Sequence, residues 1–427
     1  MDDKKEIFKI LIKEFHEFKI PAVLKRDLTV PIRSKKIITI TGPRRAGKTF
    51  YFYQLINEIR QKIPLERILY INFEDDRILP LSLKDLNALL EAYFELYPEV
   101  KENEFFLFLD EIQNIEGWET FVRRIYDKEN VNIFITGSSS KLLSREIATS
   151  LRGRTLNYKI YPLSFVEFLR FRGVELKSDF VYSKVRYKVK NLLNVYINFG
   201  SFPEITLAGD DLRISILKNY YDLVIYRDLV ERFAIRNVQL LKDMIKFLLT
   251  NISTTFSINA YYHSLLPQYH ISRETILEYL SYLEEIELIQ VVPIFSYSVK
   301  VQQVNPKKIY TIDNGLRNAV SFRFSQDEGR LVENLVFQYL KRLGFDVYYW
   351  KKKGEVDFVI KENNKLTAIN VSYGSIIDDR EIDGLLGFRD VHKGFVKNLL
   401  IITKDLEKTE NGIRYIPLWK WLVGEEK

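Results

Sequence analysis

Gly42-Pro43-Arg44-Arg45-Ala46-Gly47-Lys48-Thr49 decides how the rest of this chain is read. It meets the phosphate-loop pattern G-x-x-x-x-G-K-[ST] at every required position. The apolar run Lys36-Ile37-Ile38-Thr39-Ile40 before it reads as a buried strand. Phe50 to Lys62 after it carries apolar residues at helical spacing and stops before Pro64. Strand, loop and helix in that order are the setting in which backbone N–H groups at a helix N-terminus cradle phosphates. Lys48 adds a point charge there, and the Thr49 hydroxyl is placed to ligate Mg²⁺. Gly42 through Phe50 are therefore the expected nucleotide-binding residues. ATP or GTP is the expected ligand; no N-K-x-D base motif appears, which leans toward ATP.

A second apolar run, Phe105-Phe106-Leu107-Phe108-Leu109, ends in Asp110-Glu111. A central strand of a parallel sheet is buried on both faces and delivers its last residues to the ligand crevice. Roughly 60 residues after a phosphate loop, this is the Walker B pattern. Asp110 is expected to hold Mg²⁺, directly or through water, and Glu111 to polarise the attacking water. Arg67 to Phe73 reads as another strand and residues 83–97 as a helix. Val131 to Thr136 is a further buried strand, followed by Gly137-Ser138-Ser139-Ser140. Ser138 and Ser139 are candidate γ-phosphate sensors, with Thr136 third; a helix N-cap is the alternative use of those serines. Leu151-Arg152-Gly153-Arg154 then offers two arginines, either of which suits an arginine finger on a neighbouring subunit's nucleotide. Surface ion pairing is the alternative.

The chain has 427 residues, 64 Lys and Arg against 57 Asp and Glu, and no cysteine. Disulfides and thiolate metal sites are excluded. No apolar run approaches the roughly 20 residues that span a bilayer, and the charged, amphipathic N-terminus lacks a signal peptide's apolar core. A cytoplasmic protein with no membrane role is the expectation. The net charge of +7 fits a nucleic-acid partner.

In order and spacing, TGPRRAGKT, LDEIQNIEGWE, ITGSSS, LRGR and PLSFVEFL resemble the prokaryotic AAA+ ATPases that carry a C-terminal DUF4143 domain. NFGSFPE, YTIDNGLRNAV, LVENLVFQYL and YYWKKKGEVDFVI extend the similarity to about residue 375. The resemblance implies a P-loop α/β domain with a parallel sheet, then a helical and winged-helix region, then a restriction-endonuclease-like α/β domain. The expected limits are 1–165, 166–250, 251–305 and 306–427. It also favours the finger reading of Arg152 or Arg154, and with it a homo-oligomer completing its sites in trans.

Ile252 to Val292 has winged-helix order, with Arg273 to Ile286 as the recognition-type helix. That helix is acidic for a reader of bases and phosphates, so protein contact is as good a reading; Lys300, Lys307 and Lys308 are alternative phosphate contacts. Farther on, Glu333 on a helix and Glu355-Val356-Asp357 on a strand follow a PD-(D/E)xK nuclease pattern. Where acid-x-Lys is required stands Asn370-Val371-Ser372, which argues against cleavage. Lys351 to Lys353, beside Tyr348, Tyr349 and Trp350, form either a basic–aromatic nucleic-acid surface or a packed strand edge. The leading expectation is a Mg²⁺-dependent ATPase acting as an oligomeric motor on branched or duplex DNA. A nucleotide-gated switch for a protein partner and a DNA-cleaving enzyme are the rivals.

Overall fold

The strand before the phosphate loop is β1 (Ile37–Thr41), and all five of its residues are buried. The computed structural model describes residues 2–137, 151, 153–321, 328–352 and 354–424. It divides into two compact units, residues 1–161 and 162–427.

In the first unit, β1 joins β2 (Ile68–Asn72), β3 (Phe105–Asp110), β4 (Val131–Gly137) and β5 (Thr155–Lys159). The sheet order is β2-β3-β4-β1-β5, and every pairing is parallel. A parallel sheet needs cover on both faces, and the strands supply it by alternation. Odd-numbered Leu69, Ile71, Leu107, Leu109, Ile133 and Ile135 enter one core, with α1 (Asp2–Glu17), α3 (Asp85–Leu96) and α4 (Trp118–Lys128). Even-numbered Ile38, Ile40, Ile68, Phe106, Phe108 and Phe134 enter the other, beneath α2 (Lys48–Ile59). There Phe108 stacks on its neighbour Phe134 with centroids 4.6 Å apart, and Phe52 of α2 meets Phe108 edge-on at 5.0 Å. β4 lies between β1 and β3, so the strand feeding the phosphate loop and the strand ending in Asp110 both flank it.

The second unit contains a three-stranded sheet and a six-stranded one. The smaller holds β6 (Thr255–Phe256), β7 (Ile289–Val292) and β8 (Lys307–Thr311), in the order β6-β8-β7. Helices Ile258–Leu265 and Arg273–Glu285 lie between β6 and β7 in the chain. Because β8 is the middle strand, this sheet runs across the boundary expected at 305/306. The larger sheet is mixed, with β9 (Val347–Lys351), β10 (Glu355–Glu362), β11 (Lys365–Ser372), β12 (Val396–Thr403), β13 (Lys408–Glu410) and β14 (Ile413–Pro417). Its order is β13-β14-β12-β11-β10-β9. One apolar core draws on Leu193, Ile252, Val292, Tyr310, Phe358 and Trp419 alike. The three regions that the sequence separates are therefore packed into one unit by shared burial.

Two of the stretches quoted above, NFGSFPE and YTIDNGLRNAV, meet inside this unit. Asp313 caps the helix Asn314–Val320 by accepting from the Gly315 and Leu316 amides at 2.8 and 3.2 Å. Its second oxygen accepts from the Ser201 amide at 2.7 Å and the Ser201 hydroxyl at 3.2 Å. A Cβ on Gly315 would stand 2.1 Å from the Phe199 carbonyl oxygen, an approach only glycine permits. These motifs therefore hold the fold. Asp313→Ala leaves a buried set of donors unpaired and is expected to cost about 2–4 kcal/mol, read as a lower midpoint in chemical denaturation.

Several expectations for this unit change. Lys308 is 2% exposed and ion-paired, because it lies on the central strand of its sheet. Lys307 is turned back onto the carbonyls of Gln303 and Asn305, at 3.1 and 3.0 Å. Neither is presented to phosphates; Lys300 is exposed. Tyr349 and Trp350 are core residues at 2% and 1% exposure, so they form no stacking platform, and Lys353 lies outside the described residues.

Candidate nucleotide-binding site

At the C-terminal end of β1 the chain turns through Gly42 to Gly47 and enters α2 at Lys48. A Cβ on Gly42 would come 2.1 Å from the Ile160 carbonyl oxygen. Gly47 caps α2 from the left-handed region, at φ 93°, and Arg45 is left-handed too, at φ 67°. The Ala46 amide donates to the Pro43 carbonyl at 3.3 Å. Ala46 itself is fully buried, and its carbonyl accepts from the Arg26 guanidinium at 2.8 Å. Arg26 also donates to the Tyr161 carbonyl at 2.6 Å, and its own amide donates to Gln54 of α2 at 2.8 Å. The loop is thus pinned from behind by a buried arginine that no motif advertises. Phe50 points outward at 52% exposure, and Arg44 lies 3.6 Å from Glu74.

Lys48 folds back over this loop. Its ammonium donates to the carbonyls of Gly42 and Pro43, both at 3.3 Å, and sits 3.5 Å from Glu111 Oε1. Glu111 follows β3 in a left-handed conformation, φ 55°, which turns its side chain toward the loop strand. Its other oxygen accepts from Gln113 Nε2 at 2.5 Å. Burial opposes the charge on Glu111, but the Lys48 ammonium, the Gln113 amide and Arg44 outweigh it and hold the carboxyl below its ordinary range.

Asp110 is fully buried at the end of β3. Tyr70 of β2 donates to its Oδ2 at 3.0 Å, Thr136 of β4 donates to its Oδ1, and the Thr49 hydroxyl bonds to it as well. Thr136 also accepts from the Glu111 amide at 2.9 Å. Burial pushes the Asp110 carboxyl up, with the Glu111 charge adding to it, against the hydroxyls that bind it. One hydroxyl and two carboxylates, from α2 and the end of β3, thus converge beside a lysine and a loop of backbone amides. That donor set suits a triphosphate with a hard divalent cation. The third-ranked sensor candidate, Thr136, is in contact with both acids because β4 lies between the motif strands; Ser138, Ser139 and Arg152 lie outside the described residues.

Arg154 stands elsewhere in the unit. Its carbonyl accepts from the Ile37 amide at 2.8 Å, at the start of β1. The phosphate loop leaves the far end of that strand, roughly 15 Å away. Within the chain Arg154 pairs with Asp127 at 3.0 Å and lies over the Tyr126 ring, 5.6 Å from its centroid. Among the described residues its ion pair and ring contact are with Asp127 and Tyr126, not with the phosphate loop. Sequence reasoning missed Arg26, Tyr70 and Gln113. Only Gln113 carried a signal, its place two residues after the paired acids.

A family model described as an AAA domain matches residues 34–169, and the DUF4143 model matches 328–421. A model of a further domain of unknown function, DUF8612, covers 190–327. An uncharacterized protein of Methanocaldococcus jannaschii is 40% identical over 99% of this chain and 96% of its own length. The chain belongs to this family of AAA-type P-loop ATPases with a C-terminal DUF4143 domain. Another member, from Haemophilus influenzae, is 32% identical over 91% of this chain and 94% of its own. Among solved structures, the Walker-type ATPase paby2304 of Pyrococcus abyssi aligns with 74% of this chain and 95% of its own, at 12% identity and TM-score 0.44. For this AAA-type ATPase the P-loop fold and a nucleotide ligand follow from family membership and from the parallel sheet. Among the described residues, no helix is long and apolar enough to cross a membrane.

Proposed function

We propose that this chain hydrolyses ATP with Mg²⁺, using Lys48 and the amides of Gly42 to Phe50 for the phosphates. The observation that carries this is the convergence of Lys48, Thr49, Asp110 and Glu111 at the ends of β1 and β3. Thr49 and Asp110 are the residues that would hold Mg²⁺; the ion supplies charge neutralisation on the phosphates and polarises the bond to be broken.

Glu111 has two states in this reading. With no phosphate nearby, Lys48 is committed to Glu111 and to two loop carbonyls. A bound triphosphate competes for the ammonium, and the withdrawal of that charge raises the proton affinity of Glu111. Its carboxylate is then free to orient a water and accept its proton while the γ-phosphoryl group departs. Thr136 keeps both acids in register from β4, and Ser138 and Ser139 are the residues we assign to sensing the γ-phosphate. We assign Arg152 or Arg154 to a neighbouring subunit's site, which requires a homo-oligomer.

DNA is the proposed partner, supported by the net charge of +7. The favoured reading is an oligomeric motor on branched or duplex DNA. Turnover is expected to rise at least several-fold with one of single-stranded, duplex or four-way-branched DNA, measured as phosphate release. Turnover indifferent to all three would remove the motor reading.

One observation favours the second reading, a nucleotide-gated switch for a protein partner. The helix Arg273–Glu285 buries Ile276, Tyr279, Leu280 and Leu283 and exposes Glu274, Leu277, Glu278 and Ser281. Apart from Arg273 that face presents no cation, which suits a protein surface better than phosphates.

A further inference from the structure

Glu333, Glu355 and Asp357 follow a sequence pattern in which carboxylates hold a divalent cation for phosphodiester cleavage. Glu333 of the helix Glu328–Arg342 and Glu355 and Asp357 of β10 do converge. Between them lies a side chain that sequence reading placed elsewhere. Lys308 Nζ, from β8 of the other sheet, is 2.8 Å from Asp357 Oδ1, 3.1 Å from Glu355 Oε1 and 3.2 Å from Glu333 Oε1. The same Glu333 oxygen accepts from Tyr310 at 2.7 Å. Asp357 Oδ2 accepts from the Val371 amide at 3.0 Å.

At the β11 position where a nuclease would place its second acid, Asn370 has turned inward. Its amide oxygen accepts from the Asp357 amide at 2.9 Å. Its nitrogen donates to the carbonyls of Glu355 and Glu381, at 3.3 and 3.0 Å, and to Glu381 Oε2 at 2.9 Å. Among the described residues, no group of three or more histidines or acids is arranged to hold a metal ion. The residues present do not fit a metal.

We propose that the Lys308 ammonium stands permanently where a nuclease would hold its divalent cation. The carboxylate cluster is then a metal-free lock that ties β8 of the three-stranded sheet to β10 and the helix Glu328–Arg342. Charge and access agree. Burial and the Asp357 charge push the Glu333 carboxyl up to about 8. Burial opposes the charge on Lys308, but Asp357 and Glu333 outweigh it and keep the ammonium protonated. Lys308 then balances Asp357, and Lys351 balances Glu355 at 3.0 Å. The ammonium fills the space between the three carboxylates, and a cation placed beside it would be repelled strongly. At 2% exposure Lys308 is also beyond the reach of a nucleic-acid phosphate.

The test is Mn²⁺ uptake by the nucleotide-free full-length protein, read from the spectrum of free Mn²⁺. Wild type is compared with Lys308→Ala and with a triple variant, Lys308→Met, Glu333→Gln and Asp357→Asn. Wild type and the triple variant are expected to take up the same amount. Lys308→Ala is expected to bind one Mn²⁺ more and to lose roughly 5–10 °C of unfolding midpoint, which Mn²⁺ restores. Uptake by wild type that the triple variant lacks would overturn the proposal, as would a folded Lys308→Ala that gains no Mn²⁺ site. If Lys308→Ala does not fold, the comparison of wild type with the triple variant decides. If the triple variant is the one that does not fold, these neutral side chains cannot replace the lock and the proposal falls.

Discussion

Lys48→Ala is expected to abolish measurable nucleotide binding and to lower turnover by a factor of about 10³. Two effects add. The ammonium already lies along the loop, bonded to the Gly42 and Pro43 carbonyls at 3.3 Å. Its removal takes from the phosphates a charged donor whose loss cannot be made good by water in a buried site. The same change takes from Glu111, which is 9% exposed, its ion-pair partner at 3.5 Å. The Gln113 amide and Arg44 remain beside the carboxyl, but without the ammonium its proton affinity rises. Titration with a fluorescent nucleotide analogue and a phosphate-release assay check both parts. Binding that survives within a few-fold of wild type would contradict the assignment of the phosphates to this loop.

Glu111→Gln is expected to produce the opposite signature: nucleotide binding retained within a few-fold and kcat lower by about 10²–10⁴. The amide keeps the size of the side chain, and its single oxygen still accepts from Gln113 or Lys48, but it takes no proton from water. Separate effects on affinity and on kcat would divide the site into a phosphate-holding part and a water-activating part. A Glu111→Gln protein with unchanged kcat would move the base to another residue, and Asp110 is disqualified by its three hydroxyl partners, Tyr70, Thr136 and Thr49.

Where sequence reasoning succeeded, the information was local. A phosphate loop is one turn with fixed positions for glycine, lysine and threonine, and a strand buried on both faces is one apolar run. Gly42 to Thr49 and Phe105 to Glu111 therefore announced the P-loop fold, the family and the four residues that meet at the site. The signature stretches NFGSFPE and YTIDNGLRNAV were equally visible, but their meaning was not. The contacts of Asp313 with Ser201, 112 residues away, and of Gly315 with Phe199 show that they hold the fold.

What the tertiary structure alone decided depends on neighbours that sequence distance hides. Strand order is one case: with β4 between β1 and β3, Thr136 touches both acids, and no pattern within β4 says which strands lie beside it. Arg26 is another, a lone arginine in a loop whose importance comes from burial against Ala46 and Gln54. Lys308 is the clearest. Read along the chain, it looked like a surface charge on a basic segment, and β11 looked as though a catalytic lysine had simply been lost. Folding carries that lysine, on a strand of a different sheet, into contact with acids 25 and 49 residues further on. Short-range periodicity reports which side of an element faces a core. The partner a buried charge will find there is set by which elements pack together, and that is a property of the folded chain.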